Sequence, residues 1–150
     1  MKRDTRLSAM LHLLLHMADT DRPLRSADLA RFMLGNAAAV RRTMAGLRRA
    51  GIVVSEKGHG GGWSLARDLE AITLADIHRA LGAPDFFAFG NRHSQPDCLI
   101  EQSVNAALED TMRDAERRIL ARLSSVTLAD IFADFRDRFD QYPGKGDFHV

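Results

Sequence analysis

This sequence predicts a mostly α-helical chain carrying one small β-hairpin. Three observations predict it. Apolar residues recur at three- and four-residue spacing through most of the 150 residues. Only one β-branched run, Ile-Val-Val-Ser at 52–55, reads as a strand with a nearby return, Trp-Ser-Leu-Ala at 63–66. A long stretch, 99–123, keeps a single apolar face without interruption.

The elements follow in order. Leu7, Met10, Leu11, Leu14 and Ala18 share one face of a first helix over 7–18, widened by Leu13, Leu15 and Met17. Residues 20–23 end it at a proline. Ser26 is expected to cap a second helix, with Asp28 near its positive end. Gly35 permits a left-handed turn, Asn36 caps a third helix over 37–50, and Gly51 stops it. The segment 56–62 holds four glycines in its last five positions, interrupted only by His59, and reads as a hairpin tip. Residues 72–80 and 126–134 both contain Thr-Leu-Ala-Asp, in which the threonine caps a helix and the aspartate reaches back to it. So short a match reads as reused capping chemistry rather than a structural repeat. A loop over 83–97 separates the first such helix from the long one, and the tail after Tyr142 reads as loose.

Composition excludes several classes. With 45% apolar and 27% charged residues the chain is not disordered. Its single cysteine excludes an internal disulfide framework and fits a reducing, cytoplasmic setting. No apolar run approaches the ~20 residues that span a bilayer. His12 and His16 break the N-terminal apolar patch, which argues against a signal peptide. The near-zero net charge of +1 hides a split: 11 basic and 5 acidic side chains lie before residue 66, and 10 and 15 lie from there on. A basic front and an acidic back suggest an anion-binding first half.

Three helices, then two strands with a glycine tip, is the plan of a winged helix-turn-helix, in which the third helix enters the major groove. That helix carries Arg41, Arg42, Arg48 and Arg49 and no acid. Guanidinium forks grip phosphates or the N7/O6 edge of guanine. Alanines at its start, Ala38 among them, would let the backbone approach closely, and Val40 is a candidate partner for a thymine methyl. Ser26 and Asn36 join the candidate DNA contacts, and Met44 and Leu47 read as core. The tip supplies Lys57, His59, Gly60 and Gly61, which would lie along phosphates. It is not a nucleotide loop, because Trp63 and a strand follow where Gly-Lys-Ser/Thr and a helix would be needed. No motif of a hydrolase, zinc protease or nucleotide-binding enzyme occurs, so an enzyme is not expected. Ile100, Val104, Leu108, Met112, Ala115, Ile119 and Leu123 line the long helix as a candidate dimer interface.

Several segments together resemble the Rrf2 family of bacterial transcription regulators. They are Arg-Leu-Ser at 6–8, Val-Arg-Arg at 40–42, Leu-Arg-Arg-Ala-Gly-Ile at 47–52 and Gly-His-Gly-Gly-Gly-Trp-Ser-Leu-Ala at 58–66. Ile-Thr-Leu-Ala-Asp-Ile at 72–77, Pro-Asp-Cys at 96–98 and Asn-Ala-Ala-Leu at 105–108 extend the match over about 1–135. The resemblance implies a homodimer joined by its long helices, binding a palindromic double-stranded operator, usually to repress. Many members hold a 2Fe–2S cluster on three cysteines before the long helix. Cys98 resembles the last of these, but Arg92 and Phe86 stand at the usual upstream spacings. Cys98, Glu101 and a partner's His12 would make an incomplete set, so no cofactor and no metal are expected, and an iron–sulfur regulator with an atypical ligand set is an alternative. The pattern is similar to a single-cysteine, YwnA-like branch.

Cys98 is the candidate sensor of redox or electrophile stress. A helix N-terminus favours its thiolate, Asp97 and Glu101 oppose it, and a small buried hydrophobe is the other reading. His12 and His16, four apart, are spaced as paired metal ligands are, but no third ligand follows, and such a pair in an apolar helix is more often packed and hydrogen-bonded than metal-bound. Phe86, Phe87 and Phe89 would wedge the loop onto the long helix. The expected organisation is a DNA-binding domain over 1–82, a sensor loop over 83–98, a dimerisation helix and C-terminal helix over 99–140, and a tail over 141–150. The competing function is a winged module that binds protein rather than DNA.

Overall fold

The computed structural model describes residues 4–32, 37–87, 90–91 and 97–142. Asn36, Phe89, Arg92, Pro96 and the tail after Tyr142 lie outside them. The elements are α1 (Arg6–Ala18), α2 (Ser26–Phe32), α3 (Ala37–Arg49), β1 (Val53–Glu56), β2 (Gly62–Leu65), a 3-10 turn (Leu69–Ala71), α4 (Leu74–Ala80), α5 (Leu99–Ser125) and α6 (Leu128–Gln141). The chain is thus mostly helical with a two-stranded hairpin, as its pattern predicts.

Helical periodicity places the core. α1 buries Met10, Leu13, Leu14 and Met17, and α3 buries Val40, Met44 and Leu47, in both cases at spacings that keep one stripe inward. Leu24, Leu29, Ile52, Val53, Ile72, Ile77 and Leu128 complete a single cluster. Among the described residues α5 adds no apolar side chain to it.

Two expectations shift at the second helix and the hairpin. The carbonyl of Arg25, not of Ser26, accepts the first helical amides, from Asp28 at 2.9 Å and Leu29 at 3.0 Å. Arg25 is therefore the cap, and the Asp28 carboxylate accepts its amide at 3.1 Å. The strands start and end about one residue from the expected limits, with Val53 opposite Leu65 and Glu56 opposite Gly62. Leu24 pairs with Trp63 through amide–carbonyl bonds of 2.8 and 2.9 Å, so the hairpin carries one further extended residue on its edge.

Gly46 sits where α3 crosses α4. A Cβ there would lie 2.9 Å from the Ala80 carbonyl oxygen, so only glycine permits this approach. Gly51, at φ +68°, ends α3 in the left-handed region, and the Ile52 amide closes back on Leu47 at 3.0 Å.

The two Thr-Leu-Ala-Asp segments form the capping boxes their residues predict. The Thr73 and Thr127 hydroxyls accept from the amides of Asp76 and Asp130, and each carboxylate accepts in return from its threonine amide. They also meet. Thr73 and Thr127 face each other in an antiparallel bridge, the Leu74 amide donates to Val126 at 3.0 Å, and the Leu128 amide donates to Ile72 at 2.9 Å. The start of α6 is thereby fixed to the start of α4, and Arg136 on α6 reaches Asp19 at 3.4 Å.

Candidate nucleic-acid interface

Since α3 turns Val40, Met44 and Leu47 inward, its outward side is fixed by the remaining residues. Ala38, Arg41, Arg42, Arg48 and Arg49 are all exposed there. Val40 belongs to the inner stripe, 0% exposed, so it is a core residue and not a contact for a thymine methyl. Its spacing with Met44 and Leu47 already carried that signal.

The outer cations are held ready rather than neutralised. Among the described residues no carboxylate pairs with Arg41, Arg42, Arg48, Arg49 or Lys57. By contrast Arg113, Arg117 and Arg138 on α5 and α6 pair with Asp110, Asp114 and Asp134. Arg48 donates to the Ser55 hydroxyl on β1 at 3.2 Å, which aims it along the junction of helix and wing.

The wing tip is exposed from Glu56 to Gly60. Gly58 and Gly60 have φ of +102° and +81°, and the Gly61 amide donates to the Gly58 carbonyl at 3.1 Å. A Cβ on Gly61 would strike the Glu56 carbonyl, so this tight turn requires glycine. Lys57 and His59 project from it, exposed, and Gly61 is half-buried.

Ser26 and Trp63 connect these parts. The indole Nε1 donates to the Ser26 hydroxyl at 3.3 Å, tying β2 to the first turn of α2. The hydroxyl expected to cap a helix or reach DNA is thus engaged with the wing, and its residue is half-buried. Sequence reasoning missed this pair and the Leu24 edge, because both join residues far apart in the chain.

Cys98 caps α5 and is exposed, so it is not a small buried hydrophobe. The backbone amides of Glu101 and, secondarily, Ile100 lower its pKa below the ordinary thiol value, although no capping hydrogen bond of ordinary geometry is made to Sγ.

The long helix divides along its length. Leu99, Ile100, Val104 and Leu108 are 75%, 77%, 50% and 46% exposed, whereas Met112, Ala115, Ile119 and Leu123 are half-buried. The second half lies against the winged part: Glu116, Leu120 and Ser124 face Ala75, His78 and Phe86 across a cavity of about 270 Å³. Phe86 stacks flat on His78 at 4.5 Å, and the His78 Nε2 donates to the Pro84 carbonyl at 2.9 Å. Asn91 reaches Glu109 at 2.7 Å. The loop is thus tied to α4 through Phe86 and to α5 through Asn91. The first half of α5 presents Leu99, Ile100, Val104 and Leu108 as an apolar surface exposed among the described residues.

Comparison with known proteins extends these observations. The family model Rrf2, described as an iron-dependent transcriptional regulator, matches residues 3–134. The HTH-type transcriptional regulator YwnA of Bacillus subtilis (strain 168) is 27% identical over 128 residues, 85% of this chain and 95% of YwnA. The HTH-type transcriptional regulator IscR of Yersinia pseudotuberculosis serotype O:1b is 31% identical over 127 residues, 83% of this chain and 73% of IscR. Among solved structures, a transcriptional regulator from Lactobacillus plantarum superposes with a TM-score of 0.73 at 23% identity, covering 88% of this chain and 90% of that one. CymR of B. subtilis, described as its global cysteine regulator, superposes with a TM-score of 0.61 at 25% identity, covering 89% and 97%.

The iron in the family's description bears on Cys98. Iron–sulfur clusters are held chiefly by several thiolates, and this chain has one cysteine. Among the described residues no three His, Cys, Asp or Glu side chains converge to hold a metal ion. Among the described residues beside Cys98, Asp97 and Glu101 add carboxylates and no thiolate, a donor set that does not fit such a cluster. No helix of the described residues is long and apolar enough to cross a membrane.

Proposed function

Because the chain belongs to the Rrf2 family of transcription regulators, we propose that it acts as a cytoplasmic homodimer on a palindromic DNA operator and represses transcription from it. α3 enters the major groove of each half-site, and the wing lies along the flanking phosphates. The observation that carries this reading is the unpaired row of Arg41, Arg42 and Arg49 on the outward side of α3, beside a wing that presents Lys57 and His59. Free guanidinium groups on a rigid helix release counterions and reach base edges at low conformational cost. Ser26 braces the wing, and Ala38 clears space at the helix start. The domain limits of 1–82, 83–98, 99–140 and 141–150 serve as reading head, sensor loop, dimer arm and tail.

The open face of Ile100, Val104 and Leu108 supports pairing with a second copy, extended by Met112, Ala115, Ile119 and Leu123. Cys98, exposed at the start of the same helix, is the residue through which oxidants or electrophiles reach the dimer.

The test is selection of duplexes from a random library, followed by anisotropy titration of the winning sequence at several salt concentrations. A two-fold symmetric consensus and a steep fall of affinity with salt are expected. Absence of any duplex binding at low salt overturns the proposal.

A further inference from the structure

His12 and His16 stand one turn apart on α1, and their Nε2 atoms approach to 2.8 Å. The ring centroids are 4.5 Å apart with planes at 65°. His16 is half-buried. The pair's placement is restrained. His16 stacks on Phe32 at 4.2 Å and 17°, and the Thr20 hydroxyl donates to its backbone carbonyl at 2.8 Å. Burial first, and the neighbouring His12 second, lower the pKa of His16 below the ordinary imidazole value. His12 is exposed and can be approached from solvent.

Two imidazole nitrogens bound at ~2.0 Å in adjacent positions of a square or octahedral metal site lie about 2.8–3.0 Å apart, and in a tetrahedral site about 3.3 Å. The observed separation matches the adjacent arrangement. We propose that His12 and His16 chelate a late first-row divalent metal ion, of the Ni2+ or Cu2+ class, with water in its remaining positions. On binding, the hydrogen bond between the rings opens. The proton held at one Nε2 moves to the Nδ1 of the same ring through solvent, and both Nε2 lone pairs turn to the ion. Because His16 rests on Phe32, the last residue of α2, the ion fixes α1 against the helix that supports α3.

Calorimetric titration of Ni2+ into the full chain carrying Cys98→Ser, which removes a competing thiol, tests this. One Ni2+ per chain is expected, with proton signals of both rings broadened by the paramagnetic ion. His12→Ala should weaken binding by roughly 100-fold, since the second ring acts as a tethered ligand. His12 is exposed and outside the core, so this variant keeps the wild-type circular dichroism. Ni2+ affinity unchanged by His12→Ala overturns the proposal, and so does a chain that takes up no Ni2+ at all.

Discussion

Trp63 and Ser26 are 37 positions apart, and the indole Nε1 donates to the serine hydroxyl at 3.3 Å. This bond, with the Leu24–Trp63 backbone pair beside it, sets where the wing stands relative to α2 and so to α3. A side-chain hydrogen bond of this kind contributes about 0.5–1.5 kcal/mol net. Trp63→Phe and Ser26→Ala should each lose about 1 kcal/mol in urea unfolding. The double variant should lose little more than either single one, because the two share one interaction. Fully additive losses would show that the bond contributes nothing.

Arg41 and Arg42 lie exposed and without carboxylate partners on the outward side of α3. Replacing either by alanine should weaken operator binding by ~1–3 kcal/mol if it grips a base, or reduce the salt slope by about 1 if it grips a phosphate. The unfolding midpoint should stay within about 0.5 kcal/mol of wild type, since neither side chain is packed. Anisotropy and urea unfolding on the same preparations separate the two effects.

Gly46→Ala inverts the usual rule for an exposed helix. Alanine favours helix over glycine by about 1 kcal/mol. Here its Cβ would meet the Ala80 carbonyl oxygen at 2.9 Å, a backbone atom that cannot swing away. Displacing α4 from α3 should cost ~1–3 kcal/mol, so the variant melts below wild type. A higher melting temperature would mean that the two helices separate freely.

Cys98 should alkylate with iodoacetamide along a pH curve whose midpoint lies below that of the urea-unfolded chain. The amides of Glu101 and Ile100 favour its thiolate only while α5 is formed. The sign follows from linkage: the contribution to stability is complete above the unfolded thiol's pKa and is lost as pH falls through the lower folded value. Coincident curves for folded and unfolded protein would remove the helix as the cause. Under the proposed function, Cys98→Ser should also leave DNA binding unmoved by diamide.

The helices, the hairpin and the outward arginines were legible because they rest on local periodicity and turn chemistry. The same periodicity, followed through Met44 and Leu47, places Val40 inward, against its reading as a base contact. What was not legible depends on contacts between distant segments. Nothing near Ser26 announces Trp63, and nothing near Gly46 announces the carbonyl of Ala80. The twin capping boxes were each readable, but their pairing is a property of the folded chain. The exposure of Cys98 likewise depends on how far α5 extends past its support, which no local pattern encodes.

That extension has a mechanical consequence. α5, 27 residues long, extends about 40 Å; its second half lies against α4 and the loop, while Leu99, Ile100 and Val104 near its start are exposed. The Thr73–Thr127 bridge pins the supported end to the winged part. A helix clamped at one end is a lever. A tilt of about 5° at the clamp displaces the far end by roughly 3 Å, and in a paired assembly the motion runs equally in reverse. Under the proposed function, small repacking around His78 and Phe86 therefore has the reach to change the distance between the two DNA-binding domains of a dimer, whichever end of the lever is pushed.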